Sequence, residues 1–232
     1  MQNLVKVFEQ AEPEDHRLAA RSWWTYNHLT SRMAAKFGFG PDVGAAVFSA
    51  LSPNNDYHGN LRDAHRLLEA AHDGLELEDF RVSTYNPNKR KAWAITHGTS
   101  PLDVIVFPKT RSFYLNIRDP NDPIPVTVDG HVANAWRGER IPLKGAAAKM
   151  NKALYEIIAE DVRQLGRMKG ILPNIAQGVI WFVWRRIHGI KFQPQLELWC
   201  PETRAAGLGF EPYVKWSGWS ESHRRPPVPK TS

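Results

Sequence analysis

The chain has very little cysteine and no long apolar segment. Cys200 is the only cysteine among 232 residues, and one cysteine cannot form an internal disulfide, a four-cysteine zinc site or an iron–sulfur site. No apolar run approaches the ~20 residues that span a bilayer, and the N-terminus lacks the basic-then-apolar pattern of a signal peptide. We therefore expect a cytoplasmic protein that has no membrane association and requires no metal or cofactor.

The remaining composition is that of a globular, mildly basic protein. Hydrophobic residues make up 42% of the chain, and the formal net charge is +6. This charge permits a polyanionic partner, although an ordinary basic protein fits it equally well. Nine tryptophans are present, and several lie near basic residues, as Trp23 and Trp24 lie near Arg21. Most such rings belong in a core, but a ring beside a cation in a cleft also suits base stacking.

The spacing of apolar residues and helix breakers predicts an all-α fold. The chain is expected to form one helical domain over residues 1–210, as a monomer, followed by a loosely ordered, basic and proline-rich tail over residues 211–232. The predicted helices cover residues 13–37, 43–51, 57–71, 88–97, a short stretch after 101, 109–118, 131–136, about 146–168, and 173–188. Residues 119–125 contain three prolines and are predicted to form a loop.

Two chemically active side chains fall at predicted helix starts. Lys109 and Asp129 lie twenty positions apart (129 − 109). The N-terminus of a helix is positively polarised, which disfavours charge on an amine and favours it on a carboxylate. Such a pair suits attack on a carbon that carries developing positive charge. The simpler interpretation is that Asp129 only caps a helix and that Lys109 is only a solvated surface lysine.

Several short motifs occur in a recognisable order. They are Leu-Ser-Pro-Asn at 51–54, Asn-Leu-Arg-Asp-Ala at 60–64, Asn-Lys-Arg-Lys-Ala at 88–92, Lys-Thr-Arg at 109–111 and Val-Asp-Gly-His at 128–131. In order and spacing they resemble the helix-hairpin-helix DNA glycosylase superfamily, of the endonuclease III and 8-oxoguanine glycosylase type. The resemblance covers about residues 43 to 136.

The resemblance implies a compact, multi-helix glycosylase-like fold with a cleft between two helical lobes. It also implies a partner, double-stranded DNA with a modified or damaged base that is flipped out of the stack. Asp129 would stabilise the charged sugar, Lys109 would be the nucleophile of a glycosylase/lyase, and Asn54 would fill the vacated space. The other side chains that we expect to contact DNA or the base are Asn55, Tyr57, Lys89, Arg90, Lys91, Arg111, His131, Gln177, Trp23 and Trp24, with Trp136 as a further stacking candidate.

Some of these residues have ordinary structural explanations as well. Asn54 and Asn55 are also typical turn formers. His131 fits a packing role within its helix. Gln177 begins a very apolar helix, shared with Trp181 and Trp184, in which core packing is the default, although Gln177 would read a base edge if it faced a cleft. Arg185 and Arg186 fit a helix C-terminal charge pattern.

The predicted hairpin departs from the family pattern. The family has glycines there, whereas residues 103–108 read Asp-Val-Ile-Val-Phe-Pro, and proline has no N–H to offer a phosphate. The departure indicates a divergent branch, of phage or actinobacterial type, in which side chains contact the phosphates. If the protein is phage-encoded, its location is the host cytoplasm. Two alternatives remain open, a phage enzyme that joins an amine or amino acid to activated hydroxymethyluracil in DNA, and a non-catalytic DNA-binding module.

Overall fold

The computed structural model describes residues 1–143 and 150–190. Over these ranges the chain forms ten α-helices, one short 3₁₀ helix and connecting loops, without a β-strand. The α-helices are α1 (Gln2–Phe8), α2 (Pro13–Lys36), α3 (Pro41–Leu51), α4 (Tyr57–His72), α5 (Asn86–Thr96), α6 (Pro101–Val104), α7 (Pro108–Arg118), α8 (Gly130–Arg137), α9 (Lys152–Lys169) and α10 (Pro173–Ile187). Among the described helices, none combines the length and the apolar character needed to cross a membrane.

The all-α prediction is confirmed for the described residues, and most helix boundaries follow local sequence signals. Proline occupies the first turn of α2, α3, α5, α7 and α10, where its missing N–H costs nothing. Asp56 and Asp129 cap α4 and α8 through their side chains. Predicted residues 191–210 of the helical domain and the tail at 211–232 lie outside the described residues.

The predicted start of the longest C-terminal helix is wrong. The pattern of apolar residues placed it near residue 146, but α9 begins at Lys152 because the side chain of Asn151 accepts a hydrogen bond from the Leu154 N–H at 2.8 Å. Two further elements were not predicted. α1 is only seven residues long, and the 3₁₀ turn Leu77–Asp79 is three residues long, so neither repeats an apolar pattern often enough to be recognised.

The buried side chains form two hydrophobic cores. The first, which we call the α3–α7 core, lies between α3, α4, α5 and α7; Phe48, Leu67 and Tyr114 are among its most buried members. The second, the α8–α10 core, lies between α1, α8, α9 and α10 and includes Ile158 and Ile180. The long helix α2 contributes to both cores, so it is the structural link between them.

Two glycines allow neighbouring helices to approach α2 closely. A Cβ atom at Gly44 of α3 would lie 2.3 Å from the backbone oxygen of Thr30, and a Cβ atom at Gly178 of α10 would lie 2.9 Å from the Cβ of Ala19. Both distances are too short for a side chain. The missing Cβ atoms therefore let α3 pack on one part of α2 and α10 on another.

Candidate functional site

A pocket of about 680 Å³ lies between the two cores, a size typical of small-molecule sites, which span roughly 300–1,000 Å³. The α3–α7 core side contributes residues of α2, α4 and α7, and the α8–α10 core side contributes α10 and the segment before α8. Among the described residues, six phenyl, phenol and indole side chains line the pocket: Trp23, Tyr26, Tyr57, Phe113, Trp181 and Phe182. The lining therefore offers large flat apolar surfaces together with a few polar groups.

The segment at residues 125–129 carries Asp129 to the pocket. Val126 and Val128 are buried in the α8–α10 core, whereas Thr127 and Asp129 line the pocket. The hydroxyl of Tyr155 holds the segment by donating to the Val126 oxygen at 2.7 Å and accepting from the Val128 N–H at 3.2 Å. Alternation along an extended backbone thus places every second side chain in the pocket wall.

The Asp129 carboxylate receives three N–H donors. Its Oδ1 accepts from the backbone N–H groups of His131 and Val132, each at 2.9 Å. Its Oδ2 accepts from Nε1 of Trp181 at 2.8 Å. The predicted helix cap is confirmed, and the contact with Trp181, 52 residues further along the chain, was not predicted.

Lys109 enters the same pocket from the opposite core. It is the second residue of α7, its side chain is exposed, and Phe113 lines the pocket one helical turn later. The amine also lies close enough to His131 to lower the pKa of that imidazole. The two residues identified from their helix-start positions, Lys109 and Asp129, therefore line the same pocket from its two sides.

His131 lies behind the pocket lining and packs against Trp181. The two rings meet edge to face with centroids 6.1 Å apart, and Nδ1 of His131 is buried without a hydrogen-bond partner among the described residues. Burial lowers the pKa of this imidazole, and the cations Arg185, Lys109 and Arg140 lower it further, against the opposing effect of Asp129. These surroundings therefore favour the neutral form of His131.

Three of the α10 side chains that line the pocket recur at a regular spacing. Gln177, Trp181 and Arg185 are four residues apart, so they share one face of the helix. Gln177 is only 5% exposed, and its Oε1 has no hydrogen-bond partner among the described residues. Arg185 lies over the ring of Trp181, with 4.4 Å from the guanidinium carbon to the ring centroid, and burial lowers its pKa while Asp129 raises it.

Sequence reasoning found Gln177 but missed Trp181 and Arg185. Trp181 was assigned to core packing and Arg185 to a helix C-terminal charge pattern. The missed signal is the i, i+4, i+8 spacing of the three residues, because side chains at this spacing meet the same surroundings.

Of the two adjacent tryptophans of α2, only Trp23 lines the pocket. Its ring contacts Phe113 and Tyr26 with centroids 5.9 and 6.1 Å apart, and its Nε1 donates to the Asn174 oxygen at 3.0 Å. Trp24 is 43% exposed and outside the lining, because neighbouring residues of a helix differ by about 100° in direction. Trp136 is also outside the lining, since its Nε1 donates to Asp161.

The turn between α3 and α4 contributes two of the three residues expected there. Asn55 and Tyr57 line the pocket, although the Asn55 amide is engaged with the buried carboxylate of Asp63 at 2.8 Å. Asn54 is exposed, lies outside the lining and has a φ of 56°. Asparagine tolerates this left-handed conformation well, which agrees with the turn-forming interpretation of Asn54.

The structure corrects the expected surface position of Lys89. This side chain is 8% exposed, and its amine donates to the backbone oxygens of Leu77 and Phe80. It also lies 4.1 Å from the centroid of the Phe80 ring. Lys89 therefore holds the 3₁₀ turn against α5, because its charge is satisfied internally by carbonyl groups.

The remaining cations predicted to contact DNA lie outside the pocket lining. Arg90 and Arg111 are exposed, and the Lys91 amine lies 5.2 Å from the centroid of the Phe107 ring. Phe107, 66% exposed, belongs to the turn that joins α6 to α7. The exposed ring of Phe107, two positions before Lys109 in the sequence, therefore lies beside the cationic side chain of Lys91.

The described residues contain no group of three or more His, Cys, Asp or Glu side chains that could hold a metal ion. The family model that matches residues 1–188 is the Family of unknown function (DUF7178), and the chain belongs to this family. Comparison with curated proteins and with solved structures gave no match.

Proposed function

We propose that this protein is a DNA glycosylase with lyase activity, which flips a modified or damaged base out of double-stranded DNA and cleaves its N-glycosidic bond. The observation that carries the proposal is the meeting of Lys109 and Asp129 in one pocket, from two helices and two separate cores. We interpret this pocket as the cleft of a glycosylase-like fold. The resemblance of residues 43–136 to that superfamily supports the same interpretation.

Asp129 is assigned the role of stabilising charge. Cleavage of an N-glycosidic bond places positive charge on the sugar, as in other glycosyl transfers. A fixed carboxylate beside that carbon lowers the energy of the transition state, and it needs no reorganisation when the charge develops. The three N–H donors to Asp129 hold its carboxylate in place for this purpose.

Lys109 is assigned the role of nucleophile. A neutral lysine amine attacks the anomeric carbon of the sugar as the bond to the base breaks, and the proton that the nitrogen loses is taken up by the departing base, which leaves a glycosylamine. The bond between the anomeric carbon and the ring oxygen then breaks, the ring oxygen gains a proton, and the nitrogen lone pair forms the double bond of the Schiff base. The Schiff base permits strand cleavage by β-elimination. The long, exposed side chain of Lys109 suits a group that must reach into the pocket after DNA has bound.

The pocket lining suits a flipped base. Flipped bases are held by stacking between aromatic side chains and by hydrogen bonds to their polar edges. Trp23, Tyr26 and Tyr57 provide ring surfaces on one side of the pocket. On the other side the buried Oε1 of Gln177 lacks a partner among the described residues, so it would accept a hydrogen bond from an N–H group of the base.

DNA binding is assigned to the surface around the α6–α7 turn. The family pattern uses backbone N–H groups of glycines to contact a phosphate, and this chain has none at 103–108. The Lys91 amine lies beside Phe107 of this turn, Arg90 precedes Lys91 in α5, and Arg111 follows the turn in α7. Cationic side chains commonly contact phosphates. Lys89, which is engaged internally, is excluded from this surface.

The direct test is incubation of the protein with duplex oligonucleotides that carry a panel of modified bases. Mass spectrometry then detects the released base and the cleaved strand. We expect release of at least one base by the wild-type protein, with strand cleavage that is lost in Lys109→Gln. Binding that weakens with salt but yields no product would contradict the enzyme proposal and favour a DNA-binding module.

The same experiment addresses a base-modifying transferase, which is the second candidate. The pocket volume of about 680 Å³ leaves room for a second small substrate beside a base. A transferase of this kind would change the mass of an activated hydroxymethyluracil in the presence of an amine or amino acid, with the glycosidic bond intact. That outcome would replace the glycosylase proposal.

A further inference from the structure

The hydrogen bonds of Asp129 leave one acceptor position on its carboxylate. Each carboxylate oxygen has two lone pairs. Both lone pairs of Oδ1 are used by the N–H groups of His131 and Val132. One lone pair of Oδ2 is used by Nε1 of Trp181, so the lone pair that has no donor among the described residues belongs to Oδ2.

The helix cap alone does not fix Oδ2. Both oxygens of the planar carboxylate turn together about the Cβ–Cγ bond, whose torsion is broad in aspartate, and the two backbone donors restrain this rotation from the Oδ1 side only. The indole N–H of Trp181 bonds to that second oxygen. Trp181 therefore supplies the restraint that the cap lacks.

Trp181 is itself held by its neighbours. The guanidinium of Arg185 lies over its ring at 4.4 Å, and the edges of His131 and Phe182 meet it with centroids 6.1 and 5.1 Å apart. A cation over an indole face is attracted to the ring and draws electron density from it, which strengthens the N–H as a donor. The direction and the strength of the bond to Oδ2 are thus both set by the surrounding side chains.

We propose that Trp181 is the positioning residue of the site, which turns the free lone pair of the Asp129 Oδ2 toward the reacting carbon. The kinetic part of this inference rests on the proposed function. The structural part, a hydrogen bond that orients the carboxylate, does not. The two parts are therefore measured separately.

The kinetic test compares Trp181→Phe with Trp184→Phe, on the substrate found with the oligonucleotide panel. Phenylalanine keeps a ring beneath Arg185 but removes the N–H donor. Trp184 is a matched control, because it lies on the same helix and its buried Nε1 has no partner among the described residues. We expect kcat to fall about tenfold to a hundredfold in Trp181→Phe, as for other misplaced catalytic groups, with KM within about twofold and with little change in Trp184→Phe. A wild-type kcat in Trp181→Phe, or an equal loss in the control, would overturn the inference.

The structural test uses NMR and requires no activity. We expect the indole Nε1–H resonance of Trp181 to move in Asp129→Ala, while that of Trp184 stays in place. The carboxyl carbon resonance of Asp129 should likewise move in Trp181→Phe and not in Trp184→Phe. If these shifts occur but no oligonucleotide is processed, the proposed function fails and the orienting bond stands. If they do not occur, Trp181 does not position Asp129, whatever the protein catalyses.

Discussion

The two sides of the pocket each carry an aspartate at a helix N-terminus, and the two residues differ in their surroundings. Asp56 caps α4 on the α3–α7 core side and is exposed, and its Oδ1 accepts from the Gly59 N–H at 2.8 Å. Asp129 caps α8 on the α8–α10 core side, is partly buried and is additionally bonded by Trp181. The same local signal thus produces a simple cap in one place and an oriented carboxylate in the other.

A residue that caps a helix does not thereby become a candidate catalytic residue. Both aspartates satisfy free N–H groups at the start of a helix. Both also line the pocket, but among the described residues only Asp129 receives a side-chain donor from a distant helix. A cap becomes a candidate catalytic group when tertiary structure fixes its second oxygen in a pocket.

The largest effect is expected from the aspartates themselves. Asp129→Asn should lower base release by about 10²–10³-fold, as the loss of one preorganised electrostatic group does, because the neutral amide no longer stabilises the sugar cation. Asp56→Asn should keep activity within a few-fold, since asparagine also caps helices well. Base release measured by mass spectrometry checks both variants. Full activity in Asp129→Asn would show that the Asp129 carboxylate does not stabilise the sugar cation.

The packing of each core on α2 provides the next comparison. Gly44→Ala should destabilise the protein by about 1–3 kcal/mol, because its Cβ atom would meet the backbone oxygen of Thr30 at 2.3 Å. Gly178→Ala should cost less, because its Cβ atom would meet the Cβ of Ala19 at 2.9 Å. Urea unfolding followed by tryptophan fluorescence measures both. The reverse order of stabilities would contradict the packing described for α3 and α10.

Lys89 and Lys109 are expected to have different roles, the first in stability and the second in activity. Lys89→Met should reduce the free energy of unfolding by about 1–3 kcal/mol, because the partly buried backbone oxygens of Leu77 and Phe80 lose their charged donor. Lys109→Met replaces an exposed side chain and should change stability by less than about 0.5 kcal/mol. The expected pattern in activity is the opposite, with loss confined to Lys109→Met. Equal stabilities of the two variants would contradict the internal role of Lys89.

The smallest effect concerns the pH dependence of stability. Burial is the main cause that lowers the pKa of His131 beside the α8–α10 core and of His65 beside the α3–α7 core. The unfolded chain therefore binds more protons than the folded one once the pH falls below about 6.5, the usual imidazole pKa, so stability is lost in that range. His131→Asn and His65→Asn should each make this loss shallower in urea unfolding between pH 7.5 and 5. If the free energy of unfolding depends on pH as steeply in both variants as in the wild-type protein, these two histidines are not the cause of the loss.

Local signals were sufficient for much of the fold. The prolines at 13, 41, 87, 108 and 173 marked helix starts, and Asp129 was recognised as a possible cap. These features depend on residues within one helical turn, so the sequence alone reveals them. The helix start at Lys152 was missed because the apolar pattern outweighed the cap signal of Asn151.

The site was only partly predictable, because its decisive contacts join distant residues. Nothing near Asp129 in the sequence indicates the indole of Trp181, and nothing near Lys89 indicates that two carbonyl groups would enclose its amine. Such contacts depend on how α10 and the 3₁₀ turn pack, which local patterns do not determine. The spacing of Gln177, Trp181 and Arg185 was visible in the sequence, but it gained meaning only once their helix was seen to face Asp129.

The most direct test of the central claim is borohydride reduction during incubation with the substrate oligonucleotide, followed by peptide mapping of the covalent adduct. If Lys109 and Asp129 meet at one sugar carbon, the DNA should be trapped on Lys109 in the wild-type protein, and Asp129→Asn should yield no adduct. An adduct on another residue, or base release without an adduct, would contradict the assignment of Lys109 as nucleophile.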